Sequence, residues 1–116
     1  MNFGDNRKTI CFDFDGVIHS YISGWKGITV IPDPPVIGIR EFIKKVIIKY
    51  KIVIFSARAE SEEGRTAIAC YMRDNDIPFD YITCKKLPAI LYVDDRAIRF
   101  LDVETLDRYF VKENLL

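Results

Sequence analysis

Thr9-Ile10-Cys11-Phe12-Asp13-Phe14-Asp15-Gly16 is a short apolar run that stops on two carboxylates and a glycine. A nearly unbroken run of this kind is what a parallel strand covered on both faces requires. Residues 51–55 and 89–93 repeat the pattern, and residues 80–84 form a weaker fourth instance. Between the first two runs, Ile39, Phe42, Ile43, Val46, Ile47 and Tyr50 recur at helical spacing, with Arg40, Lys44, Lys45 and Lys49 on the polar side. That periodicity predicts an amphipathic helix over 36–50, entered through Pro34 and Pro35. Ser61 is the expected N-cap of a second helix, which turns Ala67, Ile68, Tyr71 and Met72 inward and stops at Asn75-Asp76-Ile77-Pro78. A short last strand is expected over 98–101, then a third helix after Asp102 with Val103, Leu106 and Phe110 on one face.

Alternating strands and helices predict one α/β domain over residues 1–116, a doubly wound, Rossmann-like three-layer sandwich with a mostly parallel central sheet and right-handed crossovers. Residues 17–31 break the rhythm. Their glycines, Gly24 and Gly27, stand where a hairpin would turn, so the segment is read as a short β-hairpin flap beside the first strand.

Of the 116 residues, 49% are hydrophobic and 29% charged, which excludes a disordered tail, a collagen-like repeat and a coiled coil. A chain of this length can bury roughly two-thirds of its unfolded surface. Basic and acidic residues number 17 each, so there is no net field to hold a polyanion and a general nucleic-acid coat is not expected. Cys11, Cys70 and Cys84 have no zinc-like spacing and are read as reduced thiols, Cys11 in the core. Residues 1–8 are polar and no apolar stretch approaches about 20 residues. The expectation is a cytoplasmic protein without a membrane partner.

Ligands of open α/β sheets bind beyond the carboxyl ends of the strands, so the residues that end each apolar run carry the functional reading. These are Asp13 and Asp15 on the first, Ser56 and Arg58 on the second, Lys85 and Lys86 after the weak strand, and Asp94 and Asp95 on the run over 89–93. Period two sets Asp13 and Asp15 on one side of an extended strand, and Gly16 permits a sharp turn after them. Two like charges about 4 Å apart cost on the order of 4 kcal/mol at an effective dielectric of 20, so a proton or a cation must accompany the cluster. Oxygen donors without His or Cys suit Mg2+, which takes a few carboxylates, waters and a substrate phosphate. Ser56 and a lysine are the donors that the non-bridging oxygens of a phosphoryl group need.

In these features the chain resembles the haloacid dehalogenase-like superfamily of phosphohydrolases. Residues 10–17 resemble its first motif, 52–56 its second, Lys86 or Lys85 its third and 91–95 its fourth, in the family's order. The resemblance implies a Mg2+-dependent phosphatase in which Asp13 is the nucleophile that becomes an aspartyl phosphate, and Asp15 protonates the leaving group and then activates water. It also implies metal ligation by the Asp13 carboxylate, the Asp15 backbone carbonyl and the Asp94 side chain. Asp95 would lie behind them, orienting water or the lysine, and Ser56 and Lys86 would hold phosphate. For Asp15 to act as an acid, burial and nearby anions must raise it above the ordinary value near 3.9. Arg58 and Arg96 recur in small members that resemble the phosphatase domain of phage polynucleotide kinase; surface or capping roles are the alternative for both.

Two departures stand out. Val17 replaces the family's usual Thr, and no cap domain fits the chain, so an open site is expected. The substrate would be a phosphorylated small molecule or a phosphorylated macromolecule end, with nucleic acid not indicated by charge. A nucleic-acid 3′-phosphatase or a phosphotransferase is the alternative within the enzymes. A receiver domain of a phosphorelay has its acids in another order, and a non-catalytic phosphate-binding module would not be expected to fill all four motif positions. Tyr21 and Trp25 could stack on a sugar or base or pack on the domain. His19 could touch substrate or sit in the core.

Overall fold

The computed structural model describes residues 5–116, so half of the polar stretch over residues 1–8 lies outside the described residues. Four strands, β1 (Lys8–Asp13), β2 (Tyr50–Phe55), β3 (Tyr81–Thr83) and β4 (Leu91–Val93), form one sheet in the order β3-β2-β1-β4. All three pairings are parallel. The three helices are α1 (Ile39–Val46), α2 (Glu62–Asp74) and α3 (Val103–Lys112), with a 3-10 turn at Ala57–Glu60 between β2 and α2. The result is an all-parallel, Rossmann-like α/β architecture that winds outward from β1 in both directions. No cap is inserted among the described residues.

Alternation along the inner strands sorts their side chains. Ile10, Phe12, Ile52 and Ile54 face a core completed by Ile43 of α1 and Ile68, Tyr71 and Met72 of α2. Cys11 and Val53, one residue out of phase, are buried on the opposite face. At about 25 cal/mol per Å² of apolar area, fully burying each such Ile or Phe contributes on the order of 2 kcal/mol. That burial is what holds the strand ends in place. Ser61 caps α2 as expected, its Oγ accepting the Gly64 N–H at 3.0 Å. Asp102 does the same for α3 with the Thr105 N–H at 2.7 Å. At the other end of α2, Asp76 at φ 56 turns the chain so that the Ile77 N–H reaches the Met72 carbonyl, and Ile77 enters the core.

Four expectations are corrected. The first helix begins only at Ile39, because Gly38 adopts a left-handed conformation at φ 85 that no helical residue shares. It ends at Val46, and Tyr50 goes instead to β2, paired with Lys8. Residues 17–31 form no hairpin, and the bridges there are single ones, from His19 to Asp15 and to Pro35. The Gly27 and Ile28 carbonyls that a ladder would use accept hydrogen bonds from the Arg58 side chain. Residues 98–101 form no strand, and Phe100 and Leu101 are exposed. Coverage on both faces fails at β4, where Leu91 and Tyr92 are exposed edge residues. The expected apolar stripe of α3 is present but buries none of its residues.

All three cysteines are free thiols, Cys11 buried as expected. No helix among the described residues is long and apolar enough to cross a membrane.

Candidate active site

The chain leaves β1 toward β2 and β3 on one side and returns to β4 on the other, so the switch point of the sheet lies between the carboxyl ends of β1 and β4. Phe12 stands opposite Val93 in the parallel register. The next residues, Asp13 and Asp94, therefore emerge side by side, and Asp95 follows. One carboxylate oxygen from each of Asp13, Asp94 and Asp95 lies within 4.8 Å of the others. Burial, and after it the charges of Asp94 and Asp95, push the Asp13 carboxyl up to about 7. Such a cluster is short of positive charge. Three carboxylate oxygens with no nitrogen or sulfur among them are the donor type that a hard divalent cation such as Mg2+ takes.

Gly16 makes the cluster compact. It has φ 93, and a methyl group there would land on the Asp95 carboxylate. Gly16→Ala is therefore expected to cost about 1–3 kcal/mol in a urea melt, from the left-handed backbone and the displaced acid. An unchanged melt would remove Gly16 from this role.

Asp15 points to a different set of partners. Arg58 holds it through Nε at 2.9 Å and Nη2 at 3.3 Å. Its Oδ1 lies 2.8 Å from His19 Nδ1. The Asp33 N–H donates to His19 Nε2 at 3.1 Å, which assigns the imidazole proton to Nδ1 and makes that nitrogen the donor to Asp15. The other guanidinium nitrogen, Nη1, donates to the Gly27 and Ile28 carbonyls at 2.7 Å each, so one side chain ties β2's exit, Asp15 and the long loop together. Ser56 caps the 3-10 turn, its Oγ accepting the Arg58 N–H at 3.1 Å, and it lines the same cleft as Asp13 and Asp15. That cleft has a volume of about 440 Å³.

The structure brings together Asp13, Asp15, Ser56, Arg58, Asp94 and Asp95 in one cleft. Several roles differ from those expected. Asp95 is a full member of the acid cluster rather than a residue behind it. The anions expected around Asp15 surround Asp13 instead, and Asp15 faces a cation. Arg58 is 1% exposed, which removes the surface reading, and its bonds are to Asp15 and the loop. His19 is fully buried, its ring packed against Phe14 and Tyr71, so it cannot touch a ligand in the cleft. Lys86 does not line the cleft; its ammonium sits over the Tyr92 ring at 5.1 Å. The adjacent Lys85 is exposed and does not line it either. Arg96 does line the cleft, and among the described residues its side chain has no ion pair. Tyr21 and Trp25 also reach the cleft from the loop, while Asp33, which orients His19, carried no signal in the sequence beyond preceding two prolines.

No family model matches the chain, and no curated protein matches it. A crystal structure of a structural-genomics target from Vibrio cholerae is similar over 91% of this chain and 98% of that one, at 21% identity and a TM-score of 0.50. At that identity the likeness concerns the fold, and it agrees with the α/β architecture described above.

Proposed function

We propose that this protein is a Mg2+-dependent phosphatase of the haloacid dehalogenase-like type, hydrolysing phosphomonoesters through an aspartyl phosphate on Asp13. The observation that carries this reading is the convergence of three carboxylates, Asp13, Asp94 and Asp95, with Ser56 and Arg96 in one cleft at the switch point of the sheet. Asp13 lies among acids at the switch point, while Asp15 lies on Arg58 and His19.

Asp13, Asp94 and Asp95 are the residues that would hold the ion, which when bound offsets charge on the phosphoryl oxygens and keeps the Asp13 carboxylate ionised. An Asp13 oxygen attacks phosphorus, the bond to the ester oxygen breaks, and Asp15, which must first leave the Arg58 guanidinium and take up a proton from solvent, passes that proton to the departing alkoxide. Asp15 then removes a proton from water, which attacks the acyl phosphate and frees inorganic phosphate and Asp13. Ser56, at the end of β2, and Arg96 line the cleft and would donate to the phosphoryl oxygens. Lys86 could serve only by leaving Tyr92.

The test is phosphate release from p-nitrophenyl phosphate and a sugar phosphate, with Mg2+ and with chelator. Release that needs Mg2+ supports the reading, and no release from any phosphomonoester together with no Mg2+ effect on Tm would overturn it. Asp94→Asn is expected to raise the Mg2+ concentration for half-maximal activity about tenfold or more, by removing one of the three oxygen donors. An unchanged Mg2+ dependence would take Asp94 out of the ligand set.

A further inference from the structure

The loop over residues 17–31 presents an aromatic surface to the cleft that the chemistry above does not use. Trp25, the only tryptophan of the chain, lines the cleft and is 55% exposed. One face of its indole lies on the Arg58 guanidinium, 4.6 Å from ring centroid to Cζ. Since Nε of that guanidinium is 2.9 Å from Asp15, a single planar group separates the indole from a carboxylate of the site.

The platform is held in place. Arg58 bonds the carbonyls of Gly27 and Ile28, just after Trp25. Just before it, the Ser23 N–H and Oγ donate to the Asp33 carboxylate at 2.8 and 2.6 Å. Tyr21, a second aromatic wall of the cleft, is kept at φ 60, a conformation that costs a non-glycine residue free energy and persists only where its surroundings impose it. Its ring meets His19 edge-on, and His19 is itself fixed between Asp15 and Asp33. An aromatic ring fixed beforehand, with one face on a cation and much of its surface in solvent, loses little entropy when a planar ring stacks on it.

Building on the phosphatase reading, we infer that Trp25 and Tyr21 form a stacking subsite that selects phosphomonoesters whose leaving group carries a planar aromatic ring. The ring lies against Trp25 while the phosphoryl group lies at Asp13, and the intervening sugar or linker passes over the Arg58–Asp15 pair.

Because Trp25 is the only tryptophan, its fluorescence reports binding without turnover. In chelator, the wild-type protein is titrated with adenosine 5′-monophosphate, a 3′-phosphorylated dinucleotide, ribose 5-phosphate and inorganic phosphate. Quenching by the adenosine compound or the dinucleotide at about tenfold lower concentration than by ribose 5-phosphate is expected, and the better of the two tells whether the ring belongs to a free molecule or a chain end. Equal half-saturation for all four would overturn the subsite. By calorimetry, Trp25→Phe should keep most of the preference for the adenosine compound over ribose 5-phosphate, whereas Trp25→Leu should bring that ratio close to one. A ratio that Trp25→Leu leaves unchanged also overturns it. Ring-selective quenching with neither phosphate release nor a Mg2+ effect on Tm would support the subsite and reject the phosphatase reading, and Mg2+-dependent release without ring selectivity would do the reverse.

Discussion

Asp13→Asn should abolish phosphate release, by about 10⁴-fold or more in kcat, while the protein melts at a higher temperature than wild type in chelator at pH 8. The first effect follows from chemistry. Asparagine keeps the shape of the side chain but offers no carboxylate to attack phosphorus, so a covalent route has no first step. Retained turnover in this variant would sink the aspartyl phosphate. The second effect follows from crowding, since Asp13 is the carboxyl that burial and then Asp94 and Asp95 push up to about 7. Removing a charge from that cluster relieves the folded state.

The same crowding makes the stability contribution of Asp13 depend on pH. Its folded value of about 7 is above the ordinary 3.8, so between these limits the folded chain binds more protons than the unfolded one. Its contribution to stability is full below about 3.8 and is lost as pH rises through 7. In chelator the wild type should therefore lose stability relative to Asp13→Asn between pH 4 and 8, with the difference levelling off above about 7. The carboxyl is partly exposed, so about 1–2 kcal/mol, or roughly 4–8 °C per kcal/mol in Tm, is the scale expected after screening. Mg2+ should reverse the trend, stabilising the wild type more than the variant. A difference in Tm that does not change between pH 4 and 8 would mean that Asp13 is not strained by its neighbours.

The acids and the strands that carry them are legible in the sequence for a local reason. A buried parallel strand needs consecutive apolar residues, and the first polar ones after it stand at the functional edge. Asp13 and Asp15 after residues 10–12, and Asp94 and Asp95 after residues 91–93, satisfy that rule without long-range information. The strand order adds what the sequence lacks, because only the Phe12–Val93 register tells that Asp95 joins Asp13. The loop over 17–31 is misread for the opposite reason. Its glycines have the composition of a hairpin, but its backbone carbonyls are satisfied by Arg58, 31 positions from Gly27, and no local pattern announces such a partner. The same holds for Lys86, whose place depends on the Tyr92 ring rather than on its position after a strand.

Arg58→Met should be the most destabilising single change near the site. Methionine is unbranched and apolar, so it keeps the packing of the Arg58 stem while removing the charged end. What it removes is the fork that bonds Asp15 twice and the Gly27 and Ile28 carbonyls once each. Asp15 would be left with His19 alone, and three carbonyls of the loop, those of Gly27, Ile28 and Val30, would lose this donor. Breaking a buried ion pair by deleting one partner costs about 3–5 kcal/mol, an upper bound here because the Asp15 side chain keeps 21% of its surface in solvent. At roughly 4–8 °C per kcal/mol, the expected fall in Tm is roughly 12–40 °C. Arg58→Lys should fall between the two, since an ammonium can reach Asp15 but cannot present a planar fork to the loop at the same time. Combining Arg58→Met with Asp15→Asn tests the coupling: the double variant should be more stable than the sum of the single losses predicts, by about 1–3 kcal/mol, because the second change removes the stranded charge. Trp25 supplies an independent reading, as its indole rests on this guanidinium, and its emission should shift when the support is gone. A melt within about 2 °C of wild type, with unchanged emission, would show that the loop and Asp15 are held by other contacts.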